Sequence, residues 1–342
     1  MQKLKLIQCG VGGFGGSWIE NHSTKSEDFD LVAIVDISPE NLKSAGEIAG
    51  IGEESRFSSL EAAIEKVQAD AVLSVTPPAV HVQHARIAFA NNLHLMTEKP
   101  LADSIENARE MIALASQSGK QLAVSQNYRF NPTIQKMKSV VEGKELGAFG
   151  HGHMDFYIPA DFTGSFRETM EYPLLLDMAI HHFDMIRCVT GRDIVKITSQ
   201  SFQPGWSWYQ NDAGLKALIE LEGGLPFSYS GDWSARGRST SWSGDWRLQF
   251  EDGSLHFERN EISMARSEKW SGEENEETIE APPIEREAQA ATLHLFAEAI
   301  RSGELNEISG ANNLASFAAV QAGIISAQEN RTVDVRELIE RN

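Results

Sequence analysis

The chain is short of the residues that would make it a disulfide, metal or membrane protein. Only two of its 342 residues are cysteine, Cys9 and Cys188. Two isolated thiols build neither a disulfide framework nor a metal knuckle, and both read as small core residues. No apolar run approaches the ~18 residues of a membrane span. Basic residues are outnumbered, 30 against 49 acidic, for a formal net charge of −19. Nucleic acid and anionic membranes call for a basic footprint, so neither is expected as a partner. The chain begins Met-Gln-Lys-Leu-Lys-Leu-Ile and enters a strand-like run at once, leaving no room for a signal peptide. The expected location is cytoplasmic. No internal repeat or low-complexity tract is visible.

What is present is ordinary globular material, 41% hydrophobic and 23% charged, and long enough for two domains. The first third alternates continuous apolar runs with helical patterns. Residues 3–8, 31–35, 71–75, 93–97 and 121–125 read as strands, and helices are expected between them. Strands without polar alternation are buried on both faces, which predicts a parallel, doubly wound α/β sheet. After Asn131-Pro132 the texture changes to alternating strands, at 150–158, 194–202, 215–221, 226–233, 246–250 and 253–257. Turns such as Glu222-Gly-Gly224 and Glu251-Asp-Gly253 are hairpin signals. This half predicts an α+β domain with a large, mostly antiparallel sheet and one long helix over 173–189. Residues 268–283 read as an acidic surface loop or weak edge strand. Helices are expected over 284–301 and 311–328.

Between the first strand and the first helix lies Gly10-Val-Gly12-Gly13-Phe14-Gly15. In that context G-x-G-x-x-G is the fingerprint of a turn that holds a pyrophosphate. Gly10 permits the turn, Gly12 lets the backbone approach the phosphates, and Gly15 lets helix and strand pack closely. The helix start at Gly13 and Phe14 supplies free N–H donors. Asp36 ends the next strand. Its carboxylate suits ribose hydroxyls and repels a 2′-phosphate, and Ile37 and Ser38 bring no cation. NAD is therefore expected in preference to NADP. Thr76, Pro77, Glu98 and Lys99 end later strands on the same carboxyl edge and join the candidate cofactor set. So does His81, which reads equally as a cap or surface residue.

Two further segments carry chemistry. Lys99 follows a strand in Glu98-Lys99-Pro100, and Pro100 raises the odds of a cis peptide. Asp177, His181 and Asp184 stand at i, i+4 and i+7 of the expected long helix, along one face. A carboxylate beside an imidazole is a general-base pair, in which the acid orients the ring and stabilises its cation. The same spacing suits metal ligands, but no third and fourth ligand are clear, so no metal is expected. His182 faces away and reads as a packing residue. Of the tryptophans Trp206, Trp208, Trp233, Trp242, Trp246 and Trp270, core or interface roles are expected before sugar stacking. Arg236 and Arg238 read as solvated loop residues.

These segments, with Tyr128-Arg129-Phe130-Asn131-Pro132, resemble the Gfo/Idh/MocA oxidoreductases. The resemblance spans nearly the whole chain. It implies a Rossmann domain over 1–126 and a substrate-binding and oligomerisation domain over 127–310. The helix at about 311–328 would pack back onto the first. It implies catalytic and substrate-binding roles for Lys99, Asp177 and His181, with a sugar, cyclitol or related polyol oxidised at a secondary hydroxyl. A homodimer or homotetramer through the second sheet is also implied. Relatives that use NAD to cleave glycosidic bonds, and a non-catalytic NAD-binding regulator, are the alternatives. One departure stands out. Many members carry glycines before the catalytic aspartate, where this chain has Tyr172-Pro173-Leu174-Leu175-Leu176.

Overall fold

The computed structural model describes residues 2–267 and 275–340, so Trp270 and the stretch 268–274 lie outside the described residues. The chain forms two compact units. One holds the chain up to Asn127 together with Arg286–Leu314; the other holds Tyr128–Glu285 together with the chain from Ala315 on.

The first unit is built on a six-stranded, all-parallel sheet. Its strands are β1 (Leu4–Cys9), β2 (Phe29–Val35), β3 (Arg56–Phe57), β4 (Ala71–Ser74), β5 (His94–Glu98) and β6 (Leu122–Ser125). They lie in the order β3-β2-β1-β4-β5-β6. The order reverses at β1 and β4, and ligands of doubly wound sheets bind outside the carboxyl ends of strands at such a reversal. Leu6, Ile7, Ala71, Val72, Leu73, Leu95, Met96 and Val124 are all fully buried, as strands covered on both faces require. Strand β3 is only two residues long, too short to leave a pattern in the sequence. The helix Pro39–Ala49 starts as expected, with Ser38 Oγ accepting from Asn41 N and proline in its first turn.

The second unit holds a nine-stranded sheet. Its strands are β7 (Phe149–Tyr157), β8 (Ile194–Phe202), β9 (Gly214–Leu221), β10 (Leu225–Asp232), β11 (Asp245–Phe250), β12 (Gly253–Glu258), β13 (Glu261–Arg266), β14 (Asn275–Ile279) and β15 (Val333–Asp334). The order is β14-β13-β12-β11-β7-β10-β9-β8-β15, antiparallel except for β10 on β7. The expected acidic edge strand is β14, at one end of the sheet. In β9, Leu215, Ala217, Ile219 and Leu221 are buried while Lys216 and Leu218 are exposed. That alternation marks a sheet with one packed face and one outer face. On the packed face, Gly231 lies against Leu174, and Gly323 against Leu175 and Ile197.

The helix Ala288–Ser302 belongs to the first unit; of the last long helix, residues 310–314 belong to the first unit and residues 315–329 to the second. Side-chain chemistry accounts for these assignments. Phe296 is fully buried and stacks on Phe29 at 5.7 Å, worth about 1.5–3 kcal/mol of apolar burial. Asp28 accepts from Arg301 Nη1 at 2.6 Å and lies 2.7 Å from His294 Nδ1. Residues further on instead meet β8, where Ser199 N donates to Ser326 Oγ and Ser199 Oγ to Gly323 O.

Candidate functional site

The glycine turn of the first unit is close-packed against backbone. A Cβ on Gly10, whose φ is 82°, would sit 2.1 Å from Val75 O, and one on Gly15 would sit 2.2 Å from Gly10 O. Neither position can carry a side chain without moving the strand or the helix. At Gly12 the obstruction is the Asn41 amide, 2.3 Å away. Gly13 has φ 50° and open space where its Cβ would be. It precedes the helix Phe14–Trp18, and no side chain caps that helix. Bare backbone at the start of a helix that no side chain caps suits a dinucleotide phosphate.

Asp36 is tied into the turn. Its Oδ2 accepts from Val11 N at 2.9 Å, and its Oδ1 from Ser38 N at 2.8 Å and Asn41 Nδ2 at 3.2 Å. A carboxylate has about four acceptor sites, so one remains for a hydroxyl. Ile37 is 93% exposed beside it and Phe14 53% exposed at the helix start. The fully buried Gln8 was not anticipated. Its Nε2 donates to Gly10 O and Gly15 O, and its Oε1 accepts from Ser23 Oγ at 2.6 Å. A glutamine within the buried, otherwise apolar part of that strand, Leu6–Cys9, was the available signal.

Two expected cofactor residues turn inward. His81 is fully buried, with Nδ1 3.1 Å from Leu101 O and Nε2 3.0 Å from Thr76 O. Two carbonyl partners favour the imidazolium, but burial dominates and lowers the pKa. A ring without accessible surface touches no ligand; His81 braces the loop after β4 against the loop after β5. Glu98 is 7% exposed and accepts from Trp18 Nε1 at 2.9 Å and from Lys99 N at 3.1 Å. Burial raises its pKa, against the opposing charge of Lys99 and the bond from Trp18. It anchors the strand end. Lys99 is half-buried, and the Lys99–Pro100 peptide is cis. Thr76 Oγ1 meets Ser74 Oγ at 2.8 Å, and Pro77 is exposed at the next position.

In the second unit the expected long helix changes winding at the catalytic candidates. Leu174–Ala179 is a π-helix and Ile180–Thr190 an α-helix. Asp177 therefore lies in the wide turn and His181 in the first α-turn, and short π segments of this kind cluster at functional sites. Tyr172, two residues before the π-helix, has φ 49°. The left-handed region costs a non-glycine residue roughly 1–2 kcal/mol. Here the structure uses a tyrosine where glycine would be unstrained.

His181 is 5% exposed and stacks on Tyr128, ring centroids 4.2 Å apart. Burial, and then the Asp177 charge, push the Tyr128 hydroxyl up to about 12, so the ring stays a neutral donor beside Asp177. Asp177 is paired with Arg167 Nε. Arg167 and Tyr128 complete this cluster, and neither was singled out as a site residue. Asp184 serves a different purpose. It is 1% exposed and takes a bidentate pair from Arg129, at 2.7 and 2.6 Å, and a bond from Ser316 Oγ. His182 is a packing residue, with Nδ1 2.8 Å from Tyr229 OH and Nε2 3.1 Å from Trp242 O. Trp233 and Trp246 are buried, whereas Trp206 and Trp242 are about half exposed. Arg236 lies over the Trp206 ring, and Arg238 pairs with Glu258.

Residues 4–126 match the oxidoreductase family with an NAD-binding Rossmann fold, and residues 134–256 match the GFO/IDH/MocA C-terminal domain. The chain belongs to the GFO/IDH/MocA family. Similar GFO/IDH/MocA-like proteins include an inositol 2-dehydrogenase of Pseudarthrobacter chlorophenolicus, 23% identical over 98% of this chain and 97% of the relative. A D-apiose dehydrogenase of Paraburkholderia graminis is 25% identical over 98% of this chain and 90% of that one. Among solved structures, an oxidoreductase from Agrobacterium radiobacter in complex with NAD+, L-tartaric acid and magnesium superposes with a TM-score of 0.88. It is 22% identical and covers 98% of this chain and 100% of its own. Family membership makes this an NAD-binding Rossmann protein, and the glycine turn and Asp36 fit that cofactor. Among the described residues, no helix is long and apolar enough to cross a membrane.

Proposed function

We propose that the protein is a dehydrogenase that oxidises a secondary hydroxyl of a sugar, cyclitol or related polyol, with NAD preferred to NADP. The observation that carries this reading is the cluster of Asp177, His181 and Tyr128 at the junction of the π- and α-helices. An imidazole held against an aromatic face, near a carboxylate, is equipped to take a hydroxyl proton and have its cation stabilised. His181 is the proposed base and Asp177 the group that orients it or a neighbouring hydroxyl. The nicotinamide, when bound, accepts the hydride that leaves the carbinol carbon as the carbonyl forms. Lys99 is proposed to hydrogen-bond the same oxygen and stabilise its developing negative charge. Gly10, Gly12, Gly13, Phe14 and Gly15 would hold the pyrophosphate, with Thr76 and Pro77 bordering the cofactor.

Asp36 supports the choice of NAD. A carboxylate with one acceptor site left, followed by the apolar Ile37, welcomes a hydroxyl and repels a 2′-phosphate. The inositol and apiose activities of the relatives support the substrate class. A second copy is proposed on the outer face of the nine-stranded sheet, where Leu218 is 69% exposed. Light scattering on the purified chain tests that; a strict monomer removes it. The deciding experiment for the function is a polyol, cyclitol and aldose panel with NAD and with NADP, read by absorbance of the reduced nicotinamide. Turnover with NAD on at least one panel member, and weaker turnover with NADP, is expected. Absence of reduced cofactor across the panel, with aglycone released from glycosides instead, would replace this reading with a hydrolase.

A further inference from the structure

Arg167 belongs to a short helical turn, Phe166–Thr169, begun by Ser165, whose Oγ accepts from Arg167 N. The loop around it is held in shape from several sides. Asp161 Oδ1 accepts from Thr163 N and Thr163 Oγ1, Glu168 Oε2 accepts from Gly164 N, and Gln210 N donates to Glu168 O. The guanidinium carbon lies 4.9 Å from the Phe162 ring centroid and 4.6 Å from that of Phe166. Its Nε donates to Asp177. Among the described residues, neither terminal nitrogen donates a hydrogen bond, and the side chain is 29% exposed. Arginine presents five N–H donors in a rigid fork, and only one is spent here.

The position gives this unspent fork its meaning. It is bonded to Asp177, which is itself close to Tyr128, and Tyr128 stacks on His181. A neutral polyol has no use for a cation at this point, and the cation lies against two aromatic rings. A carboxylate has such a use, because the open edge of the guanidinium matches its two oxygens in spacing and plane.

We propose that Arg167 is a receptor for a substrate carboxylate, so that the substrate is a hydroxy acid of the sugar series, an aldonate or uronate, rather than a neutral polyol. The proposal rests on the dehydrogenase reading above and narrows its substrate class. The acid group takes the two terminal nitrogens while Nε stays on Asp177, which fixes the distance from the carboxylate to the hydroxyl that His181 deprotonates. Arg167 then sets specificity, and its contact with Asp177 gives it a positioning role as well.

The test pairs acids with their neutral counterparts: D-gluconate with D-glucitol, and D-galacturonate with D-galactose. Binding is followed by tryptophan fluorescence and turnover by NADH formation, in the intact protein and in Arg167→Gln and Arg167→Lys. The acids are expected to bind the intact protein at least about tenfold more tightly than the neutral compounds, in the range of one charge-assisted contact. In Arg167→Gln the loss should fall on KM and exceed the loss for the neutral partner by about tenfold or more. Arg167→Lys should restore part of it, since a lysine keeps the charge and loses the fork. Equal losses on acid and neutral partners would reduce Arg167 to a holder of Asp177 and overturn the receptor. NADH formed only with neutral compounds would also overturn it while leaving the dehydrogenase intact. Acids that bind preferentially through Arg167 without any NADH would keep the receptor and remove the dehydrogenase.

Discussion

The glycine turn of the first unit and the Asp177–His181 turn of the second are built in opposite ways. The first works by omission. Gly10 and Gly15 are packed so closely against Val75 O and Gly10 O that a methyl group has no room, and bare backbone is left for the ligand. The second works by direction. A π-helical turn over Leu174–Ala179 resets the winding just before His181, and Tyr128, Arg167 and Asp177 gather there from three separate segments. A backbone site is a local matter of which residues lack a side chain. A side-chain site depends on how distant segments pack.

The sharpest way to break this contrast is to remove the imidazole. His181→Ala should cut turnover by roughly 10²–10⁴-fold, the usual worth of a positioned acid or base, while NAD affinity measured by fluorescence stays nearly the same. Lys99→Met should behave alike. Near-normal turnover in either variant would sink the proposed chemistry.

Next in size is the support beneath the second site. Asp184→Asn leaves the buried Arg129 guanidinium without its bidentate partner. The expected loss is about 3–5 kcal/mol in urea unfolding, because an uncompensated charge remains in the interior. A loss below about 1 kcal/mol, within the range of surface pairs, would mean the pair is solvated.

Gly15→Ala probes the opposite site. Pushing a methyl against Gly10 O should cost roughly 1–3 kcal/mol of stability. It should weaken NAD binding more than binding of a sugar or sugar acid. If the methyl is accommodated and NAD binding is unchanged, close backbone packing is not what shapes the cofactor turn.

Titration compares the two units together. Burial lowers His84 and His94 in the first unit to about 4, and His182 in the second to about 3, from the ordinary 6.5. His94 also accepts from Gln121 N, which only an unprotonated Nδ1 can do. Folded-state values below the unfolded ones mean that the unfolded chain takes up protons first as pH falls. Stability is therefore full above about pH 6.5 and is lost progressively toward pH 4. Unfolding midpoints at pH 7.5, 6 and 5 check this, and a flat profile would show the rings to be hydrated.

The smallest effect is expected at Tyr172. Asparagine tolerates the left-handed region better than tyrosine, so Tyr172→Asn should stabilise by up to ~1 kcal/mol if backbone strain dominates. A net loss would show that contacts of the tyrosine ring outweigh it.

Much of the architecture could be read in advance because it follows from periodicity. Continuous apolar runs announced the central strands of the parallel sheet, and alternation announced β7 to β12 nearly to the residue. The misses have physical causes. Strand β3 is too short to carry a pattern. The change from π to α winding leaves i, i+4 spacing untouched in the sequence, so Asp177, His181 and Asp184 looked like one row. In the structure Asp184 belongs to Arg129 and Ser316. His81 and Glu98 sat at the right edge of the sheet, but their side chains found buried partners there. Arg167 was invisible as a site residue because a single polar residue becomes meaningful only through its partners, whereas Gln8 left a faint mark as a polar residue in a mostly apolar strand.

The sequence by itself determined the parallel sheet, the glycine turn with its acidic partner at Asp36, and the segments carrying Lys99, Asp177 and His181. Those depend on short-range rules: which residues repeat at a period, and which lack a Cβ. Tertiary structure alone decided that Ala288–Ser302 returns to the first unit, that Asp184 is spent inside the second, and that Arg167 stands bonded to Asp177. These outcomes turn on burial and on hydrogen-bond partners from ten to hundreds of residues away. The free energy of a buried polar group is set by the partner it meets, and no local pattern encodes that partner.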